Sequence, residues 1–374
     1  MEKKLGFGLM RLPLVDGEFS HVDKDQLCRM VDHYLEHGFR YFDTAWFYHD
    51  GQSEAAIKEC LVDRYPRDAF LLADKMPLML VEEEADLEEY FSTQLSRCGV
   101  EYFDYYLVHD LCNSRRALAQ KARVFEFIAQ KKEAGLVKRM GFSFHDTADV
   151  LDQVLTEHAE VDFVQLQLNY LDWESDTIQA RACYETARRH GKPVIVMEPV
   201  KGGTLAAVPS EVEQAFRAHR PTMSAASWAI RFAASHEGVM LVLSGMSTLK
   251  QVEDNVSFME DFEAFSQEEH DIVRKAADII NRSVPIPCTG CAYCINDCPQ
   301  NIAIPRYFAL YNEDMRELDT KPWTTQKLLY SRYAQEFGKA SACIGCGKCE
   351  HMCPQHLPIR SLLEKVAEHF EPAA

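Results

Sequence analysis

FRYFDTAWFY, Phe39 to Tyr48, is a short aromatic-rich run that stops on Asp43 and passes at once into a loop carrying Tyr48. Short apolar runs bounded by turn signals read as buried strands, and an ionisable residue at the end of one sits where a parallel sheet presents its chemistry. Working outward, the same unit recurs. The candidate strands are Leu5 to Gly8, Phe39 to Asp43, Phe70 to Lys75, Phe103 to His109, Arg139 to Ser143, Phe163 to Leu168, Pro193 to Glu198 and Met240 to Leu243. Between them lie amphipathic stretches. From Arg115 to Ala134, for example, Leu118, Ala122, Phe125 and Ala129 form one apolar stripe, which predicts a single helix stopped by Gly135. Eight strands alternating with helices, over a span near the roughly 250 residues usual for the architecture, predict a (β/α)8 TIM barrel. A doubly wound sheet is the competing α/β fold, but no G-x-G-x-x-G follows the first strand.

The barrel is expected to occupy residues 1–281. The stretch SVPIP, Ser283 to Pro287, is too proline-rich to continue a helix, and it stands directly before a cysteine cluster, so 282–374 is expected to be a second, small domain. Of the 374 residues, 47% are hydrophobic and 26% charged, as in a globular protein. The formal net charge of −18 argues against nucleic acid, whose phosphates need clustered Lys and Arg. Residues 282–374 hold ten Lys or Arg against ten Asp or Glu, so the whole acidic excess belongs to residues 1–281. No apolar run is long enough to span a bilayer, and the start MEKKLGFGLMRLPL lacks the pattern of a secretory signal. The expectation is a cytoplasmic protein without a membrane partner.

Eight of the thirteen cysteines form two copies of C-x2-C-x2-C-x3-C-P: Cys288, Cys291, Cys294 and Cys298 before Pro299, then Cys343, Cys346, Cys349 and Cys353 before Pro354. This is the run that holds [4Fe-4S] clusters in bacterial ferredoxins, where the fourth cysteine serves the other cluster. Cys288, Cys291, Cys294 and Cys353 are therefore predicted to hold one cluster, and Cys343, Cys346, Cys349 and Cys298 the other. The alternative is a pair of four-cysteine zinc sites, which usually present separated C-x-x-C pairs. The remaining five, Cys28, Cys60, Cys98, Cys112 and Cys183, lack ligand spacing and read as small hydrophobes. Between Cys298 and Cys343 lie 44 residues, more than a minimal two-cluster module needs. Arg306 to Leu318 and Thr325 to Phe337 read as helices there, with Tyr307, Phe308, Tyr311, Trp323, Leu328, Leu329 and Tyr333 as apolar bulk, facing either the barrel or a partner. The tail is thus an α-helical dicluster ferredoxin-like domain.

Four ionisable residues fall at successive strand ends: Asp43, Tyr48 in the loop beyond it, Lys75 in LLADK and His109 in YYLVHD. With LGFGLMRLP, FDTAWFY-x-x-G-x-S-E, YLVH, GFS at Gly141 to Ser143, VQLQLNY and the stretch from Gly245 to Asn255, they make residues 3–281 resemble the aldo-keto reductases, and the whole chain resembles the subgroup that ends in a ferredoxin-type module. The resemblance implies an enzyme, with Asp43, Tyr48, Lys75 and His109 as its catalytic tetrad. Carbonyl reduction needs a hydride on carbon and a proton on oxygen. Tyr48 is the implied donor, Lys75 the ammonium expected to lower its pKa from near 10, Asp43 the holder of Lys75, and His109 a second hydrogen-bond donor or proton relay.

For nicotinamide, the resemblance assigns Ser143 and Gln165 to the carboxamide and Asn255 to the adenine end. Met197 stands where a stacking aromatic is common, Phe144 where an Asn is common, and Gly245 and Gln251 where cations often grip the 2′-phosphate. NADH and NADPH both stay open, and Met197 leaves room for a flavin, although no flavin fingerprint is present. Arg11, Trp46, Tyr170 and Lys201 follow strands and are candidate substrate contacts at the pocket mouth. Three readings result: a nicotinamide-dependent carbonyl reductase whose clusters transfer electrons, sense or brace; a reductase wired through its clusters to an external ferredoxin or flavoprotein; and a noncatalytic electron carrier. In all three a small-molecule carbonyl or a redox protein is the expected partner.

Overall fold

The computed structural model describes residues 3–175, 178–316 and 325–371. Contacts divide the chain into two units, Met1–Val200 with Arg220–Asp271, and Lys201–His219 with Ile272–Ala374.

The first unit is a closed barrel of eight parallel strands in sequence order: β1 Leu5–Gly8, β2 Tyr41–Asp43, β3 Leu71–Met76, β4 Phe103–Leu111, β5 Val137–Phe144, β6 Phe163–Gln167, β7 Val194–Met197 and β8 Val239–Gly245. The barrel closes where Leu5 to Gly8 pair with Val242 to Gly245. All nine residues of β4 are buried, which is why the strands read as apolar runs rather than alternating ones. One interior cluster collects Tyr41, Ala73, Tyr105, Leu107, Phe163, Ile195, Leu241 and Leu243. Three rings are bulky for such an interior, and glycine makes the room: a Cβ on Gly141 would stand 2.6 Å from the Phe163 carbonyl oxygen and 2.8 Å from its ring. The β4–β5 register shifts between Val108 and Leu111, and Asp110 there has φ +57. That irregularity falls on His109 and Asp110, where a bulge re-aims side chains.

The outer helices follow their apolar periodicity. Lys24–Glu36 buries Leu27, Met30, Val31 and Tyr34 on one face. Its N-terminus is capped by Asp23, whose Oδ1 accepts from the Gln26 amide at 2.9 Å, and Gly38 at φ +76 follows its end. The single helix expected from Arg115 to Ala134 is instead two, Asn113–Lys121 and Val124–Glu133. Arg123 between them takes φ +55, which no α-helix accommodates, while Gly135 at φ +80 ends the second helix as its composition predicts. The apolar stripe runs unbroken through the break, since Ala122, Val124 and Phe125 are all buried.

The second unit carries the eight cysteines of the two motifs. The helix Gln267–Ser283 ends on the first residue of the proline-rich stretch, and Ile304–Arg316, Thr325–Glu336 and Ile359–Phe370 follow. Tyr307 and Phe308 are buried in this unit's own core with Ile302, Leu363 and Val366, and Tyr311, Leu329 and Tyr333 pack against them. Tyr330 stacks on Phe370 at 4.9 Å and accepts from the Ala340 amide at 2.9 Å. Leu318 and Trp323 lie outside the described residues. The unit also takes in residues 201–219 and 272–281, ahead of the break read from the sequence at residue 282.

Candidate active site and cysteine ligand sets

Asp43 ends β2, Lys75 stands one residue from the end of β3, and His109 lies at the irregular end of β4. Tyr48 opens the short turn Tyr48–Gly51 beyond β2. The Lys75 ammonium has three donors and three acceptors: Asp43 Oδ1 at 2.6 Å, the Thr44 carbonyl at 2.6 Å and the Tyr48 hydroxyl oxygen at 3.3 Å. Its side chain is 1% exposed and that of Asp43 3%, so this is a buried, fully partnered ion pair. Because Lys75 donates into the Tyr48 oxygen, the phenolic O–H remains free to donate elsewhere. The His109 ring lies edge-on to that of Tyr48 at 6.1 Å, and its buried Nδ1 has no protein hydrogen bond among the described residues.

The electrostatics differ from the sequence expectation in one respect. Burial, then the carboxylates of Asp43, Asp74, Glu198 and Asp110, hold the Tyr48 phenol well above its usual range rather than below it. Burial is the main cause, and Asp43 at 2.6 Å matches the Lys75 charge, leaving little net positive field for a phenolate. Burial, then Lys75, His145 and Arg115, push His109 well below the usual range, so its imidazole is neutral. Burial also raises the Asp43 carboxyl, while the adjacent Lys75 draws it back.

Ser143 on β5 and Gln165 on β6 are register partners. Ser143 Oγ accepts from the Asp110 amide at 2.8 Å, and Oε1 of Gln165, a residue 2% exposed, has no protein donor among the described residues. A buried amide oxygen without a donor suits a ligand that brings an N–H, as the nicotinamide carboxamide does. Asn255 is buried and its Nδ2 donates to Ser244 Oγ at 2.6 Å, while Met197 ends β7 half-buried.

In the second unit Cys288, Cys291, Cys294 and Cys353 line one cavity, with Ile304 and Phe308 among its apolar walls. The Cys294 thiol feels Cys291, Cys288 and Cys353, whereas Cys349 feels Cys343 and Cys298. The fourth cysteine of each run therefore sits with the other run. Backbone amides turn toward the sulfurs, Gly290 to Cys288 at 3.4 Å and Ile302 to Cys298 at 3.5 Å, as cluster sulfurs require. Among the described residues no three His, Cys, Asp or Glu groups converge as a single ion needs. Thiols that grip different corners of a cubane have no need to converge, so the residues fit clusters better than lone zinc ions.

The model of the aldo/keto reductase family matches residues 4–278. The chain belongs to that family. A 4Fe-4S dicluster domain matches residues 287–357 of this aldo/keto reductase. Solved structures agree on the fold. The holo form of an aldo-keto reductase from Bacillus halodurans is 23% identical, with a TM-score of 0.56 over 73% of this chain and 91% of that one. An aldo-keto reductase from Klebsiella pneumoniae in complex with NADPH is 19% identical, with a TM-score of 0.59 over 74% and 95%. One from Brucella melitensis is 21% identical, with a TM-score of 0.57 over 73% and 92%. No curated protein matches the chain. Among the described residues no helix is long and apolar enough to cross a membrane.

The four candidate substrate contacts of this reductase fall in different settings. The Arg11 stem lies along Gly245, where a Cβ would touch its Cβ, Cγ and Cδ at 3.4 Å. Trp46 is sandwiched by the Arg97 guanidinium at 3.8 Å and the Tyr90 ring at 5.1 Å. Tyr170 is buried against Phe232. Lys201 is buried in the second unit, its Nζ donating to Gln355 Oε1 at 3.0 Å. Sequence reasoning missed the Thr44 carbonyl, which has no side-chain signal. It also passed over Asp110, which follows His109 in YYLVHD and takes a 2.6 Å ion pair from Arg115.

Proposed function

We propose that this aldo/keto reductase interconverts a carbonyl and an alcohol on a small molecule with NAD(P)H, and that it holds two [4Fe-4S] clusters on its crossed cysteine sets. The observation that carries the catalytic reading is the Lys75 ammonium saturated by Asp43, Thr44 and Tyr48, with the Tyr48 proton left to give. A reduced nicotinamide, when bound, supplies the hydride to the carbonyl carbon. The chain's own residues supply the rest. Ser143 and Gln165 are the proposed grip on the carboxamide, and Asn255 that on the adenine end. Tyr48 gives its proton to the carbonyl oxygen, while Lys75, donating into the Tyr48 oxygen, holds the phenol in place for that transfer. Neutral His109 donates a hydrogen bond to the same oxygen, a role that needs no imidazolium. Thirteen cysteines with no disulfide among the described residues suit a reducing compartment, which favours the cytoplasm.

The test is anaerobic purification, iron and nicotinamide analysis, and an assay of carbonyl-dependent NAD(P)H oxidation with and without Tyr48→Phe. Turnover by the wild type with clusters spectrally unchanged, and its loss in the variant, is the expected result. Full activity in Tyr48→Phe rejects the assignment.

One observation favours a second reading, in which an external redox protein feeds the clusters: Cys346 is exposed, and Ile344 beside it is 63% exposed. Cluster bleaching on addition of nicotinamide, or turnover driven only by a one-electron donor, selects that reading.

A further inference from the structure

Lys201 is 3% exposed, an unusual place for an ammonium. It sits at φ +45, and Gly202 after it at φ +62. The turn is pressed onto the first cysteine run: a Cβ at Gly202 would stand 2.3 Å from the carbonyl oxygen of Thr289, the residue next to Cys288. Its Nζ donates to Gln355, which lines the same cavity as Cys288, Cys291, Cys294 and Cys353. A buried cation is therefore held at the edge of one ligand set.

Among the described residues the other set has no such buried neighbour. Lys348 lies within its run but is exposed, and the Arg360 guanidinium nearby is paired with Glu350 at 2.8 Å. Water and a counter-charge weaken both fields, whereas a buried charge acts through a poorly screening medium. Net charge near a cluster is one of the levers that set its potential, and a cation favours the reduced, more negative state. Exposure at Cys346 works in the opposite sense, so the buried cation is needed to order the pair.

We propose that Lys201 holds the cluster on Cys288, Cys291, Cys294 and Cys353 at the higher reduction potential, so that an electron entering at the exposed second cluster settles on the first. This rests on the two-cluster reading above. The step is a single electron transfer: the second cluster is oxidised, the first reduced, no bond forms or breaks, and the reductant is a one-electron carrier in solution. Lys201 acts as a tuning residue through its charge.

The test is an anaerobic redox titration of the full chain followed by electron paramagnetic resonance, comparing wild type, Lys201→Gln and Lys201→Arg. Wild type should hold about eight irons and show two one-electron steps; fewer irons or a single step rejects the two-cluster reading itself, before any variant is compared. Lys201→Gln should cut the reduced-to-oxidised ratio of one cluster about tenfold at fixed potential, a 59 mV fall for one electron, and leave the other unmoved. Lys201→Arg should keep the wild-type values. Loss of a cluster in Lys201→Gln but not in Lys201→Arg also supports a requirement for the charge. Unchanged potentials in Lys201→Gln, equal shifts of both clusters, or the same shift or cluster loss in Lys201→Arg overturns the proposal.

Discussion

Replacing Lys75 by Met tests the centre of the barrel site through stability as well as activity. The substitution keeps an unbranched apolar stem and deletes the ammonium, leaving Asp43, 3% exposed, beside an unpaired Thr44 carbonyl. Breaking one partner of a buried ion pair costs about 3–5 kcal/mol. At about 2–4 °C per kcal/mol for a domain of this size, melting should fall by on the order of 10 °C at neutral pH. The cost must depend on pH with a definite sign. Burial already raises Asp43, and without Lys75 it rises further, above the unfolded value of about 3.9. The native state then binds more protons than the unfolded state between those two pKa values, so stability falls as pH rises through the window and the full penalty stands above it. Melting curves of Lys75→Met and wild type at several pH values should diverge as pH increases and converge near pH 4. A difference of under about 1 kcal/mol at neutral pH, or one that does not change with pH, would refute the buried pair as the organising element.

Tyr48→Phe keeps the ring beside Lys75 and removes only the donor, so kcat should fall by about 10²–10⁴ with KM little changed, measured by steady-state carbonyl reduction. Since the Tyr48 phenol is held above its usual range, reduction should stay flat through neutral pH and decline only in alkali, while alcohol oxidation should rise with pH; a fall of reduction near pH 7 contradicts this. His109 is pushed well below its usual range and His236 down to about 4, so the unfolded state takes up protons that the folded state refuses below about pH 6.5. Stability should therefore drop by about 3–6 kcal/mol as pH falls from 6.5 toward 4, read by urea unfolding. Gly141→Ala places a methyl 2.6 Å from the Phe163 carbonyl oxygen inside the barrel and should destabilise by about 1–3 kcal/mol in the same assay.

Much of the barrel was legible because its strands are buried on both faces. Leu5 to Gly8 reads as a strand with the observed bounds, and Phe103 to His109 is short by only two residues, Asp110 and Leu111. Strand ends follow from the same runs, which is why Asp43, Lys75 and His109 stood out as candidates and why the structure brings Lys75 onto Asp43 and Tyr48. The crossing of the cysteine sets was legible from spacing and the prolines that follow Cys298 and Cys353.

What was not legible depends on long-range geometry or on the backbone. The break at Arg123 leaves the apolar stripe intact, so periodicity passes straight over it. The direction of the Tyr48 shift needs the charge balance of the folded site, where Asp43 cancels Lys75 and distant carboxylates gather. The bond from Lys201 to Gln355 was not legible either, because the two residues are 154 positions apart.

The placement of Cys353 with the first run and Cys298 with the second bears on assembly. Two loops are closed by each other's ends, like a pair of interlocking clasps, so neither run can be completed while the other is absent. Closing a long loop costs only slowly more with length, and the helices between Cys298 and Cys343 can be accommodated without loosening either clasp. On these crossed sets, removing Cys353 alone should strip one ligand from the first site and leave all four of the second, whereas removing the whole second run should disable both sites.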